Sequence, residues 1–127
     1  MEGRIYDGFV PGRHAIDAYG AGGFRFADMS HRGSILVIPS GIKAWPPSEG
    51  RGLVPEDFDP VFAESAAIEL LLLGTGLDIV PVSDAVRWRF REAGIRFDVM
   101  QTGAATRTYS ILLAENRRVG AALIAVD

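Results

Sequence analysis

A chain of 127 residues has the size of one domain and can remove roughly two-thirds of its unfolded surface from water. Its 48% hydrophobic and 23% charged residues exclude a disordered chain, and a net charge of -3, from 13 basic and 16 acidic side chains, excludes a general affinity for nucleic acid. Without cysteine the chain carries no disulfide, thiolate nucleophile, Cys-ligated zinc or iron–sulfur cluster of its own, and no apolar run is long enough to span a membrane.

Residues 1–13, with three glycines and one proline, read as a loosely held arm, and residues 14–127 as a single α/β domain. Glu2, Asp7 and Asp17 place acid where transit peptides avoid it, and no basic-then-apolar leader pattern occurs, so a bacterial-type cytoplasmic location is expected. Residues 14–19 and 23–27 roughly alternate in polarity around Gly20, Gly22 and Gly23, which predicts a hairpin at a sheet edge. Ile35, Leu36, Val37 and Ile38 form a continuous run closed by Pro39, predicting a central strand buried on both faces. Residues 40–55 are rich in proline and glycine and read as a long surface connection, followed by a short helix over 56–64.

A second buried strand is expected over 68–73. Ser83 and Asp84 then start a helix that Gly94 stops, with Val86, Phe90 and Ala93 as its core stripe. Ile95, Phe97 and Val99 alternate as a strand, so 68–99 reads as strand, helix, strand, the unit of a right-handed parallel crossover. A second main helix is predicted over 102–116, with Ala104, Ala105, Thr108, Leu112 and Tyr109 facing the core and Thr106, Ser110 and Arg117 facing away. The apolar run 119–126 predicts a last buried strand. The sum is an α/β layered domain with a mixed, largely parallel central sheet, an edge hairpin and two main helices.

Gly74-Thr75-Gly76 follows a buried strand at the position where open α/β sheets bind ligands, which makes it the pocket candidate. It lacks the third glycine and the immediate helix of a dinucleotide fingerprint, and no Gly-Lys-Ser/Thr exists for a phosphate loop, so a structural turn is the default. Thr102, at the start of the last helix, could add donors for an anion beside it. Glu115 lies near Arg107 and Arg118 and reads first as an ion pair fastening the helix end to the sheet. Tyr109 reads as a core ring with a bonded hydroxyl before it reads as a general acid. His14 and His31 have no metal-ligand spacing, and no serine lies in a nucleophile elbow, so neither a metal site nor a catalytic set is expected, nor any cofactor. The arginines at 87, 89 and 91 and at 117 and 118 read as solvated faces. Trp45, beside Pro46 and Pro47, is either an exposed anchor for a protein partner or a cover on the core edge.

The strand ending Leu71-Leu72-Leu73-Gly74-Thr75-Gly76, the stretch from Val99-Met100-Gln101-Thr102-Gly103 to Arg107-Thr108-Tyr109, and the continuation through Glu115-Asn116-Arg117-Arg118-Val119 resemble the mitochondrial complex I assembly factor 3 family and its uncharacterised bacterial and archaeal relatives. Ile35-Leu36-Val37 and Trp45-Pro46 belong to the same resemblance, which covers nearly the whole chain past the amino-terminal arm. It implies a compact α/β domain with a mixed sheet and, in mitochondria, a role in assembling NADH:ubiquinone oxidoreductase through contacts with other proteins. Gly74, Thr75, Gly76, Thr102, Arg107, Thr108, Tyr109, Glu115 and Arg118 match the family pattern, whereas Gln101, Thr106 and Ser110 depart from it.

Two functions are therefore expected to compete. One is an accessory protein that binds a respiratory-complex subunit or assembly factor at the cytoplasmic face of the inner membrane, without inserting into it. The other is a small-molecule or anion-binding protein, or an enzyme, using the cleft after Gly76. A homodimer formed through the edge hairpin is a third arrangement.

Overall fold

The computed structural model describes residues 8–127. The strands in chain order are β1 (Phe9–Pro11), β2 (Ala18–Gly20), β3 (Gly23–Phe26), β4 (Met29–Arg32), β5 (Ile35–Ile38) and β6 (Gly41–Ala44). A 3-10 turn, Pro55–Phe58, leads into the short helix α1 (Asp59–Ala63), followed by β7 (Leu70–Gly74), α2 (Asp84–Ala93), β8 (Arg96–Met100), α3 (Thr102–Ala114) and β9 (Val119–Leu123).

Six strands form one sheet in the order β1-β6-β5-β9-β7-β8. The sheet is mixed, as expected, but not largely parallel: among the described residues its two parallel pairings are confined to β9-β7-β8, while β1, β6, β5 and β9 make three antiparallel ones. The central strands are apolar throughout because each is covered on both sides. Leu70 and Leu72 of β7, Ile35 and Val37 of β5, and Ala121 and Leu123 of β9 point to one core, and Leu71, Leu73, Leu36, Ile38 and Ala122 point to the other. The first core is closed by α3 and by Phe24 and Phe26 of β3; the second by Phe58, Val61, Phe62, Val86 and Phe90.

The crossovers explain that division. The chain steps outward from β7 to β8 through α2 on one face, then back past β7 to β9 through α3 on the other, and reversing direction while keeping one crossover hand demands the opposite face. Local signals agree: the Ser83 hydroxyl accepts the Val86 amide at the start of α2, and Gly94 ends that helix with φ of 74°, a conformation glycine adopts without strain.

Further expectations need correction. The hairpin of β2 and β3 is not an edge of the main sheet. With β4 it makes a separate three-stranded antiparallel sheet laid over one face, because Phe24 and Phe26 are buried there. Residues 40–55 are not one loop, since Gly41–Ala44 forms β6, registered against both β5 and β1 with Ile42 buried. The inward face of α3 is also rotated: Thr102, Ala105, Thr106 and Tyr109 are buried, and the Thr106 hydroxyl donates to the Thr102 carbonyl at 2.7 Å, which lets a polar side chain face the core. Of the expected amino-terminal arm, residues 1–7 lie outside the described residues, and Phe9–Pro11 forms β1, where Val10 is buried opposite Ile42.

Candidate functional site

Strands β7 and β8 are neighbours whose following segments leave to opposite faces, so the crevice beyond their carboxyl ends is where an open α/β sheet normally holds a ligand. Gly74-Thr75-Gly76 and Thr102 do meet there. The crevice, however, is filled by the chain itself. The Thr75 amide donates to the Met100 carbonyl at 3.0 Å, the Thr102 amide to the Gly76 carbonyl at 2.9 Å, and the Gly76 amide to the Thr102 hydroxyl at 2.9 Å. The same hydroxyl donates to the Ile124 carbonyl at 2.7 Å, tying β9 into the knot. Gly74 is glycine because a Cβ there would lie 2.8 Å from the Thr102 Cα, so β7 and the first turn of α3 touch backbone to backbone.

The Thr75 hydroxyl donates to the Asp78 carbonyl at 2.6 Å and accepts the Val80 amide at 3.1 Å, which folds the loop after Gly76. That loop walls a cleft of about 590 Å3, opposite the segment around Arg51. Glu49 and Asp78 line the cleft along with Arg51, so its charge does not favour an anion, and Thr102 is not among its lining residues. The amides and hydroxyls of Thr75, Gly76 and Thr102, expected to cradle an anion, are therefore spent within the fold.

The other candidates lie elsewhere. Tyr109 is fully buried, donates to the His14 carbonyl at 3.2 Å, and has its phenol pushed up to about 12 by burial, against a smaller lowering from Arg13. Glu115 is exposed at the carboxyl end of α3, about 20 Å along the helix from Thr102. The fastening expected of Glu115 is made by Glu69, which accepts from Arg117 Nε and Nη2 at 3.1 and 3.2 Å and from the Arg118 amide at 3.1 Å. The Arg117 guanidinium first, then the Arg118 amide, lower the Glu69 carboxyl to about 2. The Arg118 guanidinium itself donates to the Ala66 carbonyl at 3.3 Å.

Trp45 is a core residue, not an exposed anchor: it is 4% exposed, its indole N–H donates to the Asp57 carbonyl at 2.8 Å, and its ring tilts against Phe58 at 5.5 Å. The exposed tryptophan is Trp88, on the outer side of α2 between Arg87 and Arg91. Arg107 lies in a different setting again, a groove of about 480 Å3 between α3 and the segment entering β2. Tyr19 and Ile111, 41% and 60% exposed, line it with Ile16, Asp17, Ala18, Thr106 and Ser110. The Ser110 hydroxyl accepts the Ile16 amide at 3.2 Å and pins the groove's two walls together. The sequence held one signal for this groove, since Ile111 lies about 200° around the helix from Tyr109 and is thus an apolar residue on a solvated face.

A family of proteins of unknown function, DUF498/DUF598, matches residues 16–124. An uncharacterized Rhodobacter capsulatus protein is 36% identical over 109 residues, 86% of this chain and 82% of that protein. NADH dehydrogenase [ubiquinone] 1 alpha subcomplex assembly factor 3 of Mus musculus is 28% identical over 109 residues, 86% of this chain but 59% of the mouse protein, so the chain spans about three-fifths of that relative's length. A Bartonella henselae crystal structure, described as that of an outer membrane protein, shares 51% identity with a TM-score of 0.89 over 92% of this chain and 98% of that one. A Bordetella pertussis Mth938-like domain superposes with a TM-score of 0.77 at 25% identity, over 88% of this chain and 85% of that one. No helix among the described residues is long and apolar enough to cross a membrane.

Proposed function

The chain belongs to the DUF498/DUF598 family of proteins of unknown function, and on that premise we propose that it is an accessory protein that binds another protein during assembly of respiratory complex I. The likeness to assembly factor 3 over 86% of this chain supports the assembly role. The observation that carries the binding role is the groove of Tyr19 and Ile111 beside Arg107, where apolar side chains stand exposed next to an unburied guanidinium. Such a groove suits an apolar side chain of a partner flanked by a polar group, since Asp17 lines it along with Arg107.

Affinity purification of the tagged protein at its native level, followed by mass spectrometry, tests this reading. Recovery of complex I subunits or assembly factors, lost in Ile111→Glu and weakened in Arg107→Ala while both variants remain folded, is the expected result. Recovery of the protein alone, or partners retained by both variants, would sink it. A second reading, a small ligand in the cleft beyond Gly76, is favoured only by that cleft's volume, about 590 Å3. A thermal-shift screen of nucleotides, flavins and metabolites with no stabilisation at high concentration counts against it.

A further inference from the structure

The six-stranded sheet has two edges of different character. β1 is three residues long and ends in Pro11, which blunts it as a template, whereas β8 has five residues and no proline. Among the described residues no strand pairs with the outer side of β8. The Arg96 amide donates to the Glu69 carbonyl and the Met100 carbonyl accepts from the Thr75 amide, so residues 96, 98 and 100 turn their backbone groups toward β7. By alternation, the amides and carbonyls of Phe97 and Val99 point outward, with the carbonyl of Ile95, whose amide is already bonded to the Phe90 carbonyl at 3.1 Å.

The side chains of this edge are complementary to themselves. Ile95, Phe97 and Val99 share one face, where Phe97 stacks on Phe90 at 4.3 Å, and Arg96 and Asp98 share the other. We infer that β8 is the interface of a symmetric homodimer, two copies pairing antiparallel about a two-fold axis through Phe97 so that the six-stranded sheets join into one. In that register Phe97 faces Phe97 of the second copy and exchanges both backbone hydrogen bonds with it, while each Val99 amide meets the Ile95 carbonyl opposite. Arg96 of each copy faces Asp98 of the other in a non-hydrogen-bonded pair, where side chains approach most closely. Moving the axis to Asp98 or to Arg96 would set like charges face to face, so the charges select one register. A lone edge uses such charges to repel strangers, and here the same two charges attract only an identical, correctly registered strand. Arg87, 5.9 Å from the centre of Phe97, and Arg91, which lines the same hollow with Ile95 and Phe97, carry like charge toward the axis, and their long stems leave them free to turn to solvent.

The proposal is independent of the groove at Tyr19 and Ile111. Sedimentation equilibrium over a concentration series, on the wild type, Arg96→Asp, Asp98→Arg and the double exchange, tests it. The expected result is a reversible dimer whose dissociation constant rises by about tenfold or more in each single variant and returns toward wild type in the double exchange. Amide exchange at Phe97 and Val99 should slow as concentration rises, which distinguishes pairing at β8 from association elsewhere. A monomer at every concentration, a dimer indifferent to both single changes, or a double exchange that fails to restore it while remaining folded overturns the proposal.

Discussion

Thr102 and Gly76 are bonded to each other twice, the Thr102 amide donating to the Gly76 carbonyl and the Gly76 amide to the Thr102 hydroxyl, each at 2.9 Å. Two stretches of chain that would otherwise offer donors to a ligand thus satisfy one another. Residues that match a family pattern at a sheet's switch point here build the fold.

Replacing Thr102 with Val keeps the shape but strands the Gly76 amide and the Ile124 carbonyl in a buried place. The expected loss is roughly 2 to 4 kcal/mol in urea unfolding, with Thr102→Ser recovering most of it. A Val variant as stable as wild type would show that these bonds are replaceable and reopen the crevice as a ligand site.

Gly74 and Gly103 should answer alanine with opposite outcomes. At Gly74 the new methyl meets the Thr102 backbone at 2.8 Å, which cannot yield without moving α3, and a cost of about 2 kcal/mol or more is expected. At Gly103 it meets the Tyr19 hydroxyl, the far end of a half-exposed side chain that can swing away. Alanine also favours the helix, though by less in this first turn than the roughly 1 kcal/mol of an interior position, so stability should stay close to wild type. Because Tyr19 lines the groove, Gly103→Ala should weaken partner capture at unchanged stability.

Glu69 makes stability depend on acid. Its carboxyl is lowered from 4.5 to about 2 in the folded protein, so the unfolded chain takes up the proton first as pH falls. The stabilisation is present in full above the unfolded value and drains away between about 4.5 and about 2. Urea midpoints of wild type and Glu69→Gln should therefore differ most near neutrality and converge in acid; a gap that persists at the acid limit would assign the effect to packing instead.

Tyr109 gives the alkaline counterpart. Its phenol is raised from 10.0 to about 12, so the unfolded chain loses its proton first and stability declines as pH rises through that window. Tyr109→Phe should cost about 1 kcal/mol at neutral pH by losing the bond to the His14 carbonyl, and should flatten the alkaline decline. Ultraviolet titration of the phenolate, with denaturant midpoints alongside, checks both.

Trp45→Ala should fail as a test of partner binding because it empties a core position under Phe58, at an expected cost of about 3 to 5 kcal/mol. Circular dichroism melting would register that loss. A melt unchanged by the substitution would contradict the packing described for this ring.

The sequence by itself determined the elements whose signals are local: the Ser83 and Gly94 ends of α2, the doubly buried runs of β5 and β7, and the strand-helix-strand unit from β7 to β8. Capping chemistry and hydrophobic period act over a few residues, so they can be read from a few residues. The sequence also showed Gly74-Thr75-Gly76 and Thr102 as special, and the structure makes them neighbours. What only the tertiary structure decided is what each does with its polar groups. Whether Trp45 is an anchor or a core ring, whether Glu115 or Glu69 makes the ion pair that fastens the end of α3, and whether the Thr102 hydroxyl meets a ligand or Gly76 all depend on partners far away in sequence. A side chain's chemistry is fixed by its residue type, but its availability is fixed by whatever the fold places within hydrogen-bonding distance.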